Sequence, residues 1–137
     1  MRAVEESFRD SINQAFQSRF SFVLVPGERW HPPADVFETD REIVMRMELA
    51  GVDGADIQIV LEGRRLTVQG IRRESAAICK KSYHRMEIHY GPFRRSLMLP
   101  HSIDTHGIKA AFHVGILELQ MTMSDRLSEE LLIIAIE

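Results

Sequence analysis

The chain has 137 residues, a formal net charge of -3, 45% hydrophobic and 27% charged residues. That is one domain's worth of globular material, too apolar for a disordered chain and with no basic surplus to argue for nucleic acid. No apolar run approaches the roughly 20 residues that a bilayer crossing demands.

The opening residues, Met1 to Asp10, mix both charges and lack the basic-then-apolar profile of a secretion signal. The lone cysteine, Cys79, has no partner in the chain for a disulfide, which points to a reducing compartment, the cytoplasm. Over residues 3–20, Val4, Phe8, Ile12, Phe16 and Phe20 recur every four residues among Glu, Arg, Asp and Gln, which predicts an amphipathic helix. Four of the seven phenylalanines (Phe8, Phe16, Phe20 and Phe22) fall in this opening segment, and Pro26-Gly27 and Pro32-Pro33 separate it from the rest of the chain. Such an arm either docks on the core of its own domain or meets another chain.

From Ala34 the period changes to two. Ile43, Met45, Met47 and Leu49 alternate with polar neighbours, the pattern of a strand with one buried face. Gly51 to Gly54 punctuates it, and Ile57, Ile59 and Leu61 alternate next. A turn at Glu62 to Arg65 leads to Leu66 and Val68 and on to Gly70. Residues 71–82 read as a charged loop, and Tyr83 to Tyr90 as a further strand closed by Gly91-Pro92. Phe93, Arg95, Leu97 and Leu99 alternate up to Pro100, where a ladder donor is lost. Ile108, Ala110, Phe112 and Val114 run through Gly115 into Leu117, Leu119 and Met121, a tight hairpin. The chain then turns polar from Ser124 until a last apolar burst, Leu131 to Ile136. Many short strands with regular turns and no intervening helix predict an all-β, antiparallel sandwich.

Catalytic signatures are absent from the sequence: no phosphate loop, no dinucleotide fingerprint and no nucleophile elbow. His84 and His89, five apart, would face opposite sides of a strand, and no His/Cys set has ligand spacing. Lys80 and Lys81 beside Cys79 favour its thiolate, but no Cys/His pairing completes a nucleophile. The residues therefore predict no catalytic residue, no metal and no cofactor.

Several pieces then occur in order. Trp30-His31-Pro32 precedes Asp35-Val36-Phe37-Glu38-Thr39; Met47 to Val52 carries Ala50-Gly51-Val52; Leu66-Thr67-Val68-Gln69-Gly70 comes next. Glu87 leads into Tyr90-Gly91-Pro92-Phe93, Arg95 and Leu99-Pro100; Ile108-Lys109-Ala110 and Gly115-Ile116-Leu117 complete the set. Over about residues 30–123 this order resembles the α-crystallin domain of small heat-shock proteins of the bacterial and plant type. Two departures stand out: Met121-Thr122-Met123 where leucine-proline-lysine is usual, and Ile88 where arginine is common.

The resemblance implies an immunoglobulin-like β-sandwich over 31–123, flanked by an arm (1–30) and a C-terminal extension (124–137). It implies an ATP-independent chaperone that holds unfolding client proteins, assembled as a homo-oligomer of strand-swapped dimers, with neither nucleic acid nor membrane as a partner. Phe8, Ile12, Phe16, Phe20 and Phe22 would form the client-binding and assembly arm. Ile134 and Ile136, two apart in an extended tail, would anchor in a neighbouring subunit's groove lined by Ile57, Ile59, Ile108 and Ala110. Read from spacing alone, a last strand packed on its own domain is the lesser alternative for the same tail. The loop Ile71 to Tyr90 would carry the swapped strand, with Glu87 and Arg95 as an ion pair across the dimer. Two other readings stay open on the residues: an adaptor on a related sandwich that docks on an ATP-driven chaperone, and an enzyme using a histidine or Cys79.

Overall fold

Alternating apolar residues become strands where a neighbouring strand satisfies their backbone groups, and the pairing here does so in two layers. A computed structural model describes residues 30–137. Among them are β1 (Ala34–Glu38), β2 (Glu42–Glu48), β3 (Ile57–Glu62), β4 (Arg65–Arg72), β5 (Gly91–Met98), β6 (Ile103–His113), β7 (Ile116–Met123) and β8 (Leu131–Ile134). One sheet has the order β1-β2-β7-β6 and the other β5-β4-β3-β8, with every strand pair antiparallel. This is the all-β sandwich that the period-two pattern predicts.

Facing side chains explain the layering. In the first sheet Ile43, Met45 and Met47 pair with Met121, Leu119 and Leu117, and all six are fully buried. Ile57, Ile59, Leu61, Leu66, Val68 and Phe93 of the second sheet meet them to form one core. Leu99, Val52 and Ile103 close its ends.

Turn chemistry fixes the registers. A Thr39–Glu42 turn joins β1 to β2, the Glu42 amide donating to Thr39 Oγ1 at 3.0 Å. Between β6 and β7, His113 pairs with Ile116 across a two-residue turn in which Val114 (φ +49°) and Gly115 (φ +78°) are both left-handed. That geometry matches the right-handed twist of the strands, and glycine adopts it without cost while a β-branched valine does not. Gly70 is required for a different reason: a Cβ there would lie 2.0 Å from the Asp56 carbonyl oxygen and 2.7 Å from Phe93 Cζ. The 3-10 turn Gly54–Asp56, capped by the Asp53 side chain on the Ala55 amide, is thus pressed directly against β4.

One expected element is missing. Residues 83–90 form no strand; the whole span 73–90 is irregular and exposed. Its alternation of apolar and polar residues is real, but no strand of the same chain lies beside it to complete a ladder. A second difference concerns β3, which is buried on both faces from Ile57 to Leu61 and so does not alternate in burial.

Candidate assembly and client-binding surfaces

The tail comes first because its geometry is the most complete. β8 adds antiparallel to β3, with Ile134 opposite Ile59, Ile133 opposite Val60 and Leu132 opposite Leu61. Strand parity turns Ile134 toward the core, where it and Ile136 pack, while Ile133 points out and stays 55% exposed. The Glu137 amide donates to the Ala110 carbonyl at 2.9 Å, so the tail also reaches β6 of the opposite sheet. Ala110 is fully buried and Ile108 packs on the same core. The structure thus brings Ile59, Ile108 and Ala110 together with Ile134 and Ile136 at the gap where the two sheets' edges meet; Ile57 lies farther along β3, beyond the last residue that β8 covers.

In the chain described, that seat is filled by the chain's own tail, where the resemblance implies a neighbour's. The reason is reach: Ser124 to Glu130 separate β7 from β8, enough extended chain to cover about 20 Å. Leu132, opposite Leu61, shares the inward parity of Ile134, a position outside the two-residue motif.

The second surface is an edge and a loop. Among the described residues β1 pairs with β2 on one side only, with no strand on its other edge, and Val36 and Phe37 stand exposed. The loop 73–90 carries Ile78, Tyr83, Met86 (68%), Ile88 (62%) and Tyr90 in solvent. Glu87 binds Arg85 at 2.8 Å, whereas the half-buried Arg95 donates to the Pro32 carbonyl at 3.0 Å. Glu87 and Arg95 therefore do not meet within one chain.

The loop's far end is pinned by a cluster that sequence reasoning missed. Arg72 lies 4.2 Å over the Trp30 ring and donates to the carbonyls of Ala50 and His89. His89 stacks on Trp30 with ring centroids 6.0 Å apart, and the Trp30 indole donates to the Gly91 carbonyl. No spacing rule links residues so far apart; only the fold joins them.

Electrostatics at the loop are local. Lys80 bonds Glu74 at 2.8 Å, and Tyr83 donates to the same carboxylate. The Lys80 contact first, then Tyr83, holds the Glu74 carboxyl below its usual range, and Glu74 in turn raises the Lys80 ammonium and the Tyr83 phenol. Cys79 is exposed, and its neighbour Lys80 is spent on Glu74. Among the described residues no three His, Cys, Asp or Glu side chains gather as a metal site. A cleft of about 370 Å³ beside the β3–β4 turn is lined by Glu62, Arg64, Met98, Leu127 and Glu129. No helix among the described residues is long and apolar enough to cross a membrane. The arm residues Phe8, Ile12, Phe16, Phe20 and Phe22 lie outside the described residues.

The described residues form an antiparallel sandwich whose C-terminal strand β8 adds to the edge of one sheet and whose loop 73–90 carries apolar residues in solvent. The pattern of the Hsp20/alpha crystallin family matches residues 35–136, and the chain belongs to that family. It is 35% identical over 123 residues to small heat shock protein C2 of Rickettsia felis, covering 90% of this chain and 79% of that protein. Small heat shock protein C4 of the same organism is 30% identical over 95 residues, covering 69% of this chain and 58% of that protein. Among solved structures, hspA from Xanthomonas axonopodis aligns with a TM-score of 0.62 at 30% identity, over 69% of this chain and 95% of that one. A small heat-shock protein from Xylella fastidiosa, described as having a distinct high order structure, aligns at 0.62 with 28% identity, over 74% and 94%. The chain is thus a small heat-shock protein built on an α-crystallin domain, of the chaperone and stress-response class.

Proposed function

We propose that the protein is an ATP-independent holdase that binds unfolding clients and acts as a homo-oligomer of strand-swapped dimers. The observation that carries this is the pairing of a bare β1 edge with an exposed apolar segment, Met86 to Tyr90, on one chain. Among the described residues neither has a partner strand. Adding that segment of one chain to β1 of another covers both, and exchange between two copies is symmetric. In such a dimer Glu87 of one chain meets Arg95 of the other, giving the half-buried guanidinium a carboxylate in addition to the Pro32 carbonyl.

A holdase needs apolar surface that it can expose without precipitating. Weak, repeated contacts solve this, because each one opens readily while the assembly as a whole persists. The Ile134–Ile136 tail suits the role: it occupies a groove by strand addition and reaches it through a short polar linker, so it can leave its own groove for a neighbour's. The aromatic arm supplies apolar contact that is non-directional and fits many clients. No step in this mechanism uses nucleotide, metal or catalysis. The exposed, free Cys79 suits the reducing cytoplasm.

The test is capture. The chain is heated with a heat-labile client in nucleotide-free buffer and the mixture is resolved by size. The proposal expects the client to elute in a large soluble complex with the chain. Client that pellets, or elutes alone, refutes it. In parallel, Met86→Asp with Ile88→Asp is expected to yield monomers of unchanged fold; an intact dimer from that variant sinks the swap.

A further inference from the structure

The β4–β5 ladder ends at Arg72 and Gly91, although the two arms that leave it could pair with each other. In the same register Arg73 would face Tyr90, Glu74 would face His89 and Ser75 would face Ile88. Tyr83 to Tyr90 has the alternation of a strand, and lengthening an existing hairpin closes no new loop. The chain does not take that route: residues 73–90 form no strand.

Arg72 supplies the stop. Its side chain shares the parity of Gly70, where a Cβ would meet Phe93 of the core, so it leaves β4 on the inner face. From there the guanidinium crosses to the other sheet, Nε donating at 2.9 Å to the carbonyl of Ala50, just past β2. Nη1 donates to the His89 carbonyl at 3.0 Å, and Cζ lies 4.2 Å from the centre of the Trp30 ring. Trp30 is a fixed platform: its ring packs on Phe93 with centroids 5.3 Å apart, and its indole donates to the Gly91 carbonyl at 3.2 Å. The His89 ring stacks on the same indole, inclined by 15°. Backbone and ring of His89 are thus both held at the end of the sandwich, off the line of β5. Gly91, at φ +95°, permits this bend without enforcing it, because glycine takes up extended backbone as readily. On the outgoing arm, Arg73 turns away to Asp56, with contacts of 2.9 and 3.3 Å.

We propose that Arg72 is a positioning residue for dimer formation: by holding His89 it denies Met86–Tyr90 to its own chain and leaves that segment for another. The consequence for the dimer rests on the strand-swap reading; the stop itself does not. Arginine suits the task because a planar fork reaches two carbonyls while its face lies on a ring, which the compact ammonium of lysine cannot do. The competition is between two pairings of one segment, a longer hairpin within the chain and strand addition between chains. Whatever weakens the first favours the second.

The experiment compares full-length Arg72→Ala and Arg72→Lys with the unaltered chain and with Arg73→Ala, which cuts only the contact to Asp56. Light scattering over a dilution series gives the dimer dissociation constant, and hydrogen exchange at the dilute end reads the separated chain. Without the stop, amides of Met86–Tyr90 should exchange about tenfold more slowly as the hairpin lengthens, and the dimer should weaken by about the same factor. Arg72→Lys should follow with a smaller change, and Arg73→Ala should show neither. Amides of β2 and β7 should keep their protection in every variant; if Arg72→Ala loses it, Arg72→Lys decides. Unchanged exchange in the Arg72 variants overturns the stop, and so does faster exchange of Met86–Tyr90 with a weakened dimer, the mark of a merely structural arginine. An equal gain of protection in Arg73→Ala overturns it as well. Protection gained with no weakening of the dimer overturns the positioning role. Protection gained in a chain that is monomeric at every concentration upholds the stop and refutes the swap reading alone.

Discussion

Truncating the tail's two inward isoleucines, Ile134→Ala with Ile136→Ala, measures what holds the tail in its groove. Each change removes three carbons, worth about 2.4 kcal/mol at full burial on the scale of 0.8 kcal/mol per methylene. Both side chains are only partly buried, so about 1.5 kcal/mol each is the better figure, about 3 kcal/mol together. That is roughly a hundredfold in the docking equilibrium. The backbone ladder to β3 is untouched, so side-chain packing alone is being tested. Hydrogen exchange at fixed protomer concentration reads it directly: amides of Leu131–Ile134, and the Glu137 amide bonded to Ala110, should exchange faster by up to that factor. Amides of β2 and β7 should not change. Ile133→Ala is the internal control, because that side chain is 55% exposed and its loss should cost under about 0.5 kcal/mol. If the double variant kept full protection in β8, or if Ile133→Ala released the tail equally, the parity argument would be wrong. Where the tail is exchanged between chains, the double variant should also lose mass in light scattering.

Three further outcomes rest on particular contacts. Gly70→Ala forces a methyl into the Asp56 carbonyl and the buried Phe93 ring, and should cost about 3 kcal/mol in urea unfolding at fixed protomer concentration. Val114→Asn relieves a β-branched residue at φ +49° on an 85% exposed turn and should stabilise by about 1 kcal/mol in the same assay. The Arg46 guanidinium, 2.7 Å away, holds the Glu118 carboxyl below its usual range. A depressed carboxyl contributes stability above its unfolded value and loses it as pH falls through the folded one. The deficit of Glu118→Gln should therefore be under about 1 kcal/mol at neutral pH, given the exposure of the pair, and should vanish on acidification below the carboxylate range. A deficit that grows with acid would contradict the assignment.

Strands were legible wherever the chain satisfies its own ladders. Ile43 to Leu49 and Leu117 to Met121 alternate because one face meets the core and the other meets solvent or a neighbouring edge. The hairpin at Val114-Gly115 was marked by its glycine. Tyr83 to Tyr90 carries the same alternation yet forms no strand, since periodicity reports which side chains want burial and not whether an edge is at hand. β3 misled in the opposite sense: Gln58 is buried on a face that its polarity assigns to water. At the tail, spacing identified Ile134 and Ile136, but whose groove they fill depends on linker reach, which no motif encodes. The Trp30–Arg72–His89 cluster left no local signal at all, because its members are joined only when β4 and β5 pair.

Light scattering from a heat-labile client, heated with and without the protein in nucleotide-free buffer, tests the central claim most directly. The account predicts suppression approaching completion near one subunit per client, undiminished by removal of ATP and weakened by Met86→Asp with Ile88→Asp. Unchecked client aggregation in the presence of protein verified as folded would contradict it.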